Sequence, residues 1–207
     1  MKYLYFVFKV MIASWLCFFR KKERMTDMTD SPIFKGAATA LVTPLNERGV
    51  DYDTLGRLID WQIEEGINAL VIAGTTGEGS TLTDEEHREL LKYSAERVNG
   101  RVPVIAGTGS NDTAYAVDLT KFACDAGCDA MLVVTPYYNK ATQKGLIAHY
   151  TAIADNVDIP IIVYNVPGRT GVNVLPATMK KLSEHKNIAA IKEASVICEI
   201  FPEADRK

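Results

Sequence analysis

The sequence predicts an α/β fold of the TIM (βα)8-barrel type, and two observations support that prediction. Short apolar segments recur about every 30 residues along the chain, which is the length of one βα unit. The segments between them have the periodicity of amphipathic helices. Because strands that are apolar throughout pair in parallel beneath a layer of helices, this alternation indicates a parallel sheet covered on its outer face.

Six segments have the length and composition of buried strands. They are residues 39–44, 69–74, 102–107, 130–136, 160–165 and 188–193. The first is not followed by the G-x-G-x-x-G turn of a dinucleotide-binding sheet. Each segment ends in polar residues or glycine, and in a barrel all of these ends meet at one mouth, where active sites form. An open doubly wound sheet is the alternative, and the polar strand ends favour the barrel.

Four segments between these strands have helical patterns. Residues 51–66 carry leucine and isoleucine at helical spacing. Thr83 is followed three residues later by Glu86, a capping box that predicts the start of a second helix. Residues 111–127 and 142–156 repeat the pattern, so the helices alternate with the strands.

Only six βα units can be distinguished in the 207 residues, whereas a closed barrel of this type has eight units and about 250 residues. We therefore expect an incomplete barrel over residues 28–195, in a chain truncated at its carboxyl end. Residues 196–207 predict an irregular tail. Residues 1–27 predict an apolar extension outside the native fold, with Met25 or Met28 as the native start, and a membrane anchor is the alternative.

The composition limits the classes of partner. The net charge is −3 and the body of the chain has no basic stretch interleaved with aromatic residues, so nucleic acid is not an expected partner. The four cysteines, which include Cys124 and Cys128, lack the spacing of a zinc site and stand apart from the three histidines. We expect reduced core thiols in a cytoplasmic protein, no metal, and small anionic substrates that meet single basic residues.

Lys192 stands where the sixth predicted strand ends. An ammonium group at such a place is disfavoured by desolvation, which lowers its pKa and leaves a usable fraction as free amine. A free amine adds to a ketone or an aldehyde and, after loss of water, gives an iminium that accepts electrons. The alternative is a structural lysine in a salt bridge with Glu193 or another carboxylate.

Tyr164 and Arg169 belong to the segment YNVPGRTG, which follows the fifth predicted strand. The phenol has the chemistry to move protons on and off a carbinolamine at the neighbouring Lys192. Arg169 offers a guanidinium fork for a carboxylate on a loop made rigid by proline and glycine. The alternatives are a core tyrosine with a satisfied hydroxyl group and a solvated arginine.

Two further strand ends carry candidate binding groups. GTTGEGS, residues 74–80, brings glycines together with the hydroxyl groups of Thr75 and Thr76, so its backbone N–H groups can cradle a carboxylate. TPYYN, residues 135–139, brings two tyrosines to another strand end. Each motif alone is weak, because glycine–threonine turns are common and tyrosines often pack without further function.

Four motifs together resemble the pyruvate-dependent class I aldolase family typified by dihydrodipicolinate synthase. The motifs are GTTGE, TPYYN, YNVPGRTG and IKEAS, and the resemblance covers nearly all of residues 33–195 in order. It implies a carbon–carbon lyase that forms a Schiff base without metal or organic cofactor. The implied reaction condenses pyruvate with aspartate 4-semialdehyde in lysine and diaminopimelate biosynthesis, in a cytoplasmic homotetramer built as a dimer of dimers.

The resemblance also implies roles for individual residues. The implied catalytic residues are Lys192 (Schiff base), Tyr164 (proton shuttle), Thr75 (relay) and Tyr138 (relay completed from the neighbouring subunit). The implied substrate-binding residues are Thr76 and Gly77 for pyruvate and Arg169 for the carboxylate of the semialdehyde.

Two alternatives to this function remain. Sialate lyases and keto-deoxy sugar acid aldolases share the lysine and the tyrosine, while Arg169 favours the synthase branch. An inactive fragment of the synthase is the second alternative. His87, Asn111 and Tyr137 match the pattern of the lysine feedback site of the family, but Tyr115 stands where lysine-sensitive members carry an acidic residue. We therefore do not expect feedback inhibition by lysine.

Overall fold

A curved six-stranded parallel sheet covered by helices forms the fold in our computed structural model, which describes residues 32–195. The elements are β1 (Ala38–Ala40), β2 (Leu45–Asn46), β3 (Gly49–Val50), α1 (Tyr52–Glu64), β4 (Ala69–Ile72), α2 (Asp84–Val98), β5 (Val104–Gly107), α3 (Thr113–Asp125), β6 (Ala130–Val134), α4 (Gln143–Ala154), β7 (Ile161–Asn165), α5 (Pro167–Thr170), α6 (Pro176–Leu182) and β8 (Ile188–Glu193). The predicted extension 1–27 and tail 196–207 lie outside the described residues, so the domain boundaries stay predictions.

The strand order separates the two candidate architectures. The sheet runs β1-β4-β5-β6-β7-β8, so the strands follow one another in the order of the chain, and every neighbouring pair is parallel. A doubly wound sheet would reverse direction at a switch point, whereas successive βα units wind continuously in one direction around a barrel. The predicted incomplete TIM barrel, with six βα strands, is therefore confirmed.

The four predicted helices are present, and polar side chains cap their first turns. Thr83 accepts a hydrogen bond from the backbone N–H of Glu86 while the Glu86 carboxylate accepts one from the N–H of Thr83, so the predicted capping box is formed at α2. Asp51, Asp112 and Thr142 cap α1, α3 and α4 in the same sense. Local sequence therefore sets where each of these helices begins.

Helix α6 was not predicted from the sequence, and two further short parts of the chain differ from the sequence prediction. The segment β2–β3 forms a small antiparallel hairpin between β1 and α1, in which Gly49 takes a φ of +107°. The predicted loop after β7 contains the one-turn helix α5, because Pro167 occupies its first turn and Gly171, with a φ of +71°, ends it. Both departures are short and leave the order of the βα units unchanged.

The sheet has two apolar faces. Its outer face packs on the helices, and its inner face is formed by alternate residues of the strands, such as Ile162 and Tyr164 on β7. Residues in register on neighbouring parallel strands share a face, so Lys192, which pairs with Tyr164, lies on the inner face at the carboxyl end of β8. Within residues 32–195, no helix combines the length and the apolar composition of a membrane span.

Candidate active site

Lys192 and Tyr164 form the centre of the candidate site. They are register partners on β7 and β8, and the Nζ atom of Lys192 lies 4.4 Å from the centroid of the Tyr164 ring. Partial burial lowers the pKa of the Lys192 amine, because desolvation disfavours the charged form. The side chain remains accessible to solvent rather than enclosed, as a group that receives a substrate must be.

The neighbouring carboxylate does not pair with this amine. Glu193 lies in register with Asn165, and its Oε1 and Oε2 atoms accept hydrogen bonds from the Asn165 Nδ2 atom at 3.2 and 2.9 Å. Oε1 also accepts a hydrogen bond from the backbone N–H of Ser195 at 2.6 Å. Within residues 32–195, no salt bridge joins Lys192 to a carboxylate, so the alternative of a Lys192–Glu193 pair is not what the structure contains.

The loop that carries Arg169 is held by its own backbone and by β7. Thr170 is buried, and its hydroxyl group donates to the carbonyl oxygen of Val172 at 3.0 Å. The Asn165 Oδ1 atom accepts a hydrogen bond from the backbone N–H of Val174 at 3.0 Å, which ties the loop to the end of β7. These contacts position α5 at the mouth of the sheet, with the guanidinium of Arg169 exposed there.

The glycine-rich turn after β4 packs its backbone against neighbouring strands. The N–H of Gly79 donates to the carbonyl of Gly74, and the N–H of Glu78 donates to that of Thr75, both at 3.2 Å. A Cβ atom at Gly79 would lie 2.2 Å from the carbonyl oxygen of Ala73, so glycine is required for this close approach. Ala73 and Glu78 take φ angles of +54° and +56°, so the backbone is strained on both sides of the turn.

The predicted carboxylate cradle lies within this turn. Gly77 is buried and its carbonyl oxygen accepts a hydrogen bond from the Thr43 hydroxyl group at 2.7 Å, while Thr76 is exposed. Within the described part of the chain, the backbone N–H groups of Thr76 and Gly77 donate to no protein acceptor. Two unused donors on a strained turn are suited to an anionic ligand.

Tyr138 lies in the exposed segment that follows β6. It is 90% exposed and has a φ of +70°, a conformation that is strained for a residue with a side chain. The next residue, Asn139, is fixed to the segment that follows the preceding strand β5, since its Nδ2 atom donates to the backbone carbonyl of Asn111 at 3.0 Å. The aromatic ring therefore projects outward from an anchored turn.

A cavity of about 470 Å³ opens at the carboxyl ends of the strands. Three of the predicted residues line it: Thr75, Tyr164 and Arg169. Four do not: Lys192, Thr76, Gly77 and Tyr138. The structure thus brings Thr75, Tyr164 and Arg169 together, and it places Lys192 against the ring of Tyr164.

The buried His87 and Tyr115 also line the cavity, and Tyr115 connects it to a charged network. The Nε2 atom of His87 lies 2.9 Å from the carbonyl oxygen of Gly107, and burial lowers the pKa of this imidazole. Tyr115 donates to the carboxylate of Asp84 at 2.9 Å, and a hydrogen bond from Arg88 holds the pKa of that carboxyl below its usual range. Burial together with the Asp84 contact raises the pKa of Tyr115 to about 12.

Sequence reasoning gave no role to Asn165 or Ser110, two polar residues at this mouth. Asn165 is fully buried and links β7, β8 and the Arg169 loop, and Ser110 is buried in the wall of the cavity. Their position in the sequence could have indicated a place at the site, since each stands at or just after the end of an apolar strand. Among residues 32–195, no group of three or more histidine, cysteine or acidic residues is arranged to hold a metal ion.

Comparisons with known proteins identify the relatives of this chain. The model of the dihydrodipicolinate synthetase family matches residues 33–201. The 4-hydroxy-tetrahydrodipicolinate synthase of Acetivibrio thermocellus is 59% identical over 165 residues, which cover 80% of this chain and 56% of that enzyme. The chain therefore spans little more than half the length of the curated relatives that it matches.

Solved structures give the same result. The crystal structure of dihydrodipicolinate synthase from Aquifex aeolicus is 50% identical with a TM-score of 0.78, over 79% of this chain and 56% of that one. The chloride-inhibited synthase from Acinetobacter baumannii, complexed with pyruvate, is 52% identical with a TM-score of 0.76, over 77% of this chain and 55% of that one.

Proposed function

The chain belongs to the dihydrodipicolinate synthetase family, and from that premise we propose that it acts as a 4-hydroxy-tetrahydrodipicolinate synthase. In the proposed reaction, pyruvate condenses with aspartate 4-semialdehyde in lysine and diaminopimelate biosynthesis. The observation that carries the proposal is the Lys192 amine, which has a lowered pKa and lies against the ring of Tyr164. The reaction requires such an amine, because only the free base attacks a ketone.

The first half of the proposed mechanism activates pyruvate. The amine of Lys192 adds to the ketone carbon, and the carbinolamine loses water to give an iminium. Tyr164 supplies the proton that leaves with the hydroxyl group, and Thr75 continues the relay. The unused N–H groups of Thr76 and Gly77 receive the pyruvate carboxylate. Loss of a proton from the methyl group then gives the enamine.

The second half forms the new carbon–carbon bond. The enamine carbon attacks the aldehyde carbon of aspartate 4-semialdehyde, whose carboxylate is held by the Arg169 guanidinium. The aldehyde oxygen takes up a proton and becomes the hydroxyl group of the product. The amino group of the semialdehyde then attacks the iminium carbon, which closes the ring and returns Lys192 as an amine. One water is released for each pyruvate and semialdehyde consumed.

We further propose that Tyr138 acts on the site of a second subunit in a homo-oligomer. Its 90% exposure and its anchored, strained backbone support this role, because a ring that projects into solvent is available to a neighbouring copy. The proposed location is the cytoplasm, in keeping with the small biosynthetic substrates. A dimer in solution that Tyr138→Ala weakens is the expected result of analytical ultracentrifugation.

The proposal is tested by trapping the imine. The purified chain is incubated with pyruvate, reduced with borohydride, and digested for peptide mass spectrometry. An adduct on Lys192 is the expected result. A folded sample that gives no adduct on Lys192 would overturn the proposal for this chain.

A sister aldolase that uses a sugar-acid aldehyde is the second candidate, because it needs the same lysine and tyrosine. Arg169→Gln distinguishes the two, since the guanidinium is assigned to the semialdehyde carboxylate. We expect at least a tenfold loss in use of the semialdehyde with the pyruvate adduct retained. Unchanged turnover of the semialdehyde would favour the sister activity.

A further inference from the structure

The residue that follows Lys192 presents a problem for a nucleophilic amine. Glu193 is adjacent in sequence, and a carboxylate close to an ammonium group stabilises the charged form. The two side chains point to opposite faces of β8, because successive residues of a strand alternate. Lys192 and Glu193 are the last two residues of β8, and at the end of a strand alternation alone does not restrain a long side chain.

The structure contains a specific restraint on this carboxylate. The Asn165 side chain is fully buried, and its Nδ2 atom donates to both Glu193 oxygens, at 2.9 and 3.2 Å, and to Asn173 Oδ1 at 2.8 Å. The orientation of the amide follows from the backbone, since a backbone N–H, that of Val174, can only donate and lies 3.0 Å from Oδ1. Nδ2 therefore faces Glu193.

No carboxylate in the described part of the chain forms a salt bridge with Lys192. The paired strand β7 contributes the Tyr164 ring, 4.4 Å from Nζ, and α5 contributes the guanidinium of Arg169 to the same mouth. Glu193 is thus the carboxylate best placed along the chain to reach the amine. Its confinement by Asn165 determines whether Lys192 has an anionic partner.

We propose that Asn165 is a positioning residue that holds the Glu193 carboxylate on the outer face of β8 and so keeps the Lys192 amine unpaired. The inference rests on the function proposed above and deepens it, since it names a residue that acts through another. Asn165 touches no reacting atom. Its effect reaches the chemistry only through the carboxylate that it restrains.

The test measures the reactivity of Lys192 as a function of pH without substrate. The full chain is trace-labelled with isotopically labelled acetic anhydride between pH 6 and 11, and acetylation of Lys192 is quantified by peptide mass spectrometry. Asn165→Ala frees the carboxylate, so we expect the Lys192 profile to move to higher pH by about one unit. At a fixed pH below the midpoint this is a loss of reactivity of roughly tenfold.

A double variant separates electrostatics from loosened packing. Asn165→Ala combined with Glu193→Gln has the same loss of the buried amide but has no carboxylate to release. We expect its profile to return to that of the wild type. An equal shift in the single and the double variant would overturn the inference, as would no shift in the single variant.

Asn187→Ala is the matched control, at the amino end of β8. Asn187 is also a buried amide, and its Nδ2 atom donates to two carbonyl groups, those of Ala154 and Val157. Its loss perturbs packing about as much but releases no carboxylate near Lys192, so the profile is expected to stay unchanged. A shift equal to that of Asn165→Ala would contradict the proposal.

A second pair of variants covers the case in which Asn165→Ala does not fold. Asn165→Asp keeps the shape of the side chain and repels Glu193, so the same upward shift is expected. Adding Glu193→Gln supplies an amide that donates to the new carboxylate, and the shift should disappear. A shift that persists in this double variant would overturn the inference.

Failure of the inference and failure of the proposed function give different results. Acetylation requires no pyruvate, so the Asn165 comparison stands even if borohydride traps no adduct. If pyruvate forms an adduct on wild-type Lys192 but the acetylation profiles are identical in all variants, the inference about Asn165 is wrong and the proposed function stands. If no adduct forms but the acetylation profiles shift as expected, the proposed synthase function is wrong and the inference about Asn165 stands.

Discussion

The two ends of the parallel sheet are built in different ways. At the amino ends, polar side chains form hydrogen bonds with backbone groups. Asp129 accepts a hydrogen bond from the N–H of Val104 at 2.9 Å, and the buried Asn187 donates to two carbonyl groups. At the carboxyl ends, Lys192 lies without a carboxylate partner among residues 32–195, and the buried Thr135 hydroxyl group has no hydrogen-bond partner there either. Polar side chains are used for bonding at the amino ends, whereas the carboxyl ends combine bonded groups, such as Asn165, with groups that are left available.

Backbone strain follows the same division. Among the described residues, the non-glycine residues with positive φ are Ala73, Glu78, Asn99, Tyr138 and Lys140. All but Asn99, which caps the carboxyl end of α2, follow a strand at its carboxyl end. Each such residue costs on the order of 1 kcal/mol, so the fold concentrates its strain where the cavity lies. The strained residues beside the cavity therefore lie about one strand length from the amino ends of the sheet.

The largest expected effect is the loss of imine formation without a loss of stability. Lys192→Gln should abolish the borohydride-trapped pyruvate adduct while changing the free energy of unfolding by less than about 0.5 kcal/mol, because the side chain is exposed and makes no described salt bridge. Trapping by mass spectrometry and urea denaturation measure the two effects. Lys186→Gln, at the amino end of β8, is the control and should retain the adduct.

The second effect is a pH dependence of the free energy of unfolding, caused by His149 on helix α4. Burial lowers the pKa of His149 to about 4. In the unfolded chain this imidazole takes up a proton as the pH falls through about 6.5, whereas the folded chain stays neutral until about pH 4. The unfolded state therefore binds more protons in this window, and stability falls as the pH falls.

His149→Gln should remove this component, which amounts to at most about 3 kcal/mol between pH 7 and pH 4. The buried His87, whose pKa is also lowered, leaves a residual slope in the variant. Urea denaturation across that range measures both chains. The same pH slope in both would show that His149 does not titrate differently on unfolding.

A third change should weaken the fold without touching the site. Asn187→Ala leaves two buried carbonyl groups, of Ala154 and Val157, without their donor, which costs about 2 kcal/mol in the free energy of unfolding. The pyruvate adduct at Lys192 should form as in the wild type wherever the variant is folded. Asn156→Ala, which removes an exposed bond to Ala152, is the control and should cost less than about 0.5 kcal/mol.

The smallest effect concerns the surface at the amino ends. The Asp60 carboxylate accepts hydrogen bonds from Arg101, at 2.6 Å, and from Arg97, and these hold its pKa below the usual range. Because the three side chains are partly exposed, Asp60→Asn should cost less than about 1 kcal/mol, and 0.5 M salt should reduce the difference further. A loss above 2 kcal/mol would show that the amino end depends on charge rather than on buried amides.

Much of the fold follows from local signals. The strand segments are apolar throughout, and helix α2 begins at its predicted capping box, so the βα order was predictable. The hairpin β2–β3 was missed, because its strands are two residues each and carry no periodic pattern. Helix α5 was missed for a similar reason, since a single turn bounded by Pro167 and Gly171 resembles a loop in sequence.

The candidate site was predictable as a set of strand ends but not as a geometry. Tyr164 and Lys192 were assigned to adjacent strands, and their pairing in register confirms that they are neighbours. The role of Asn165 was not visible, because its partners are 8 and 28 residues away in sequence. No local pattern encodes such contacts.

The sequence by itself determined the order of the βα units, the starts of the main helices and the chemical types gathered at the strand ends, because periodicity, caps and residue chemistry are local properties. Only the tertiary structure decided which faces Lys192 and Glu193 occupy, which of them is paired, and that Tyr138 is exposed outside the lining of the cavity. These depend on register and on close packing between segments distant in the chain. A carboxylate next to a lysine in sequence is its partner only if the fold allows them to meet, and here Asn165 holds them apart.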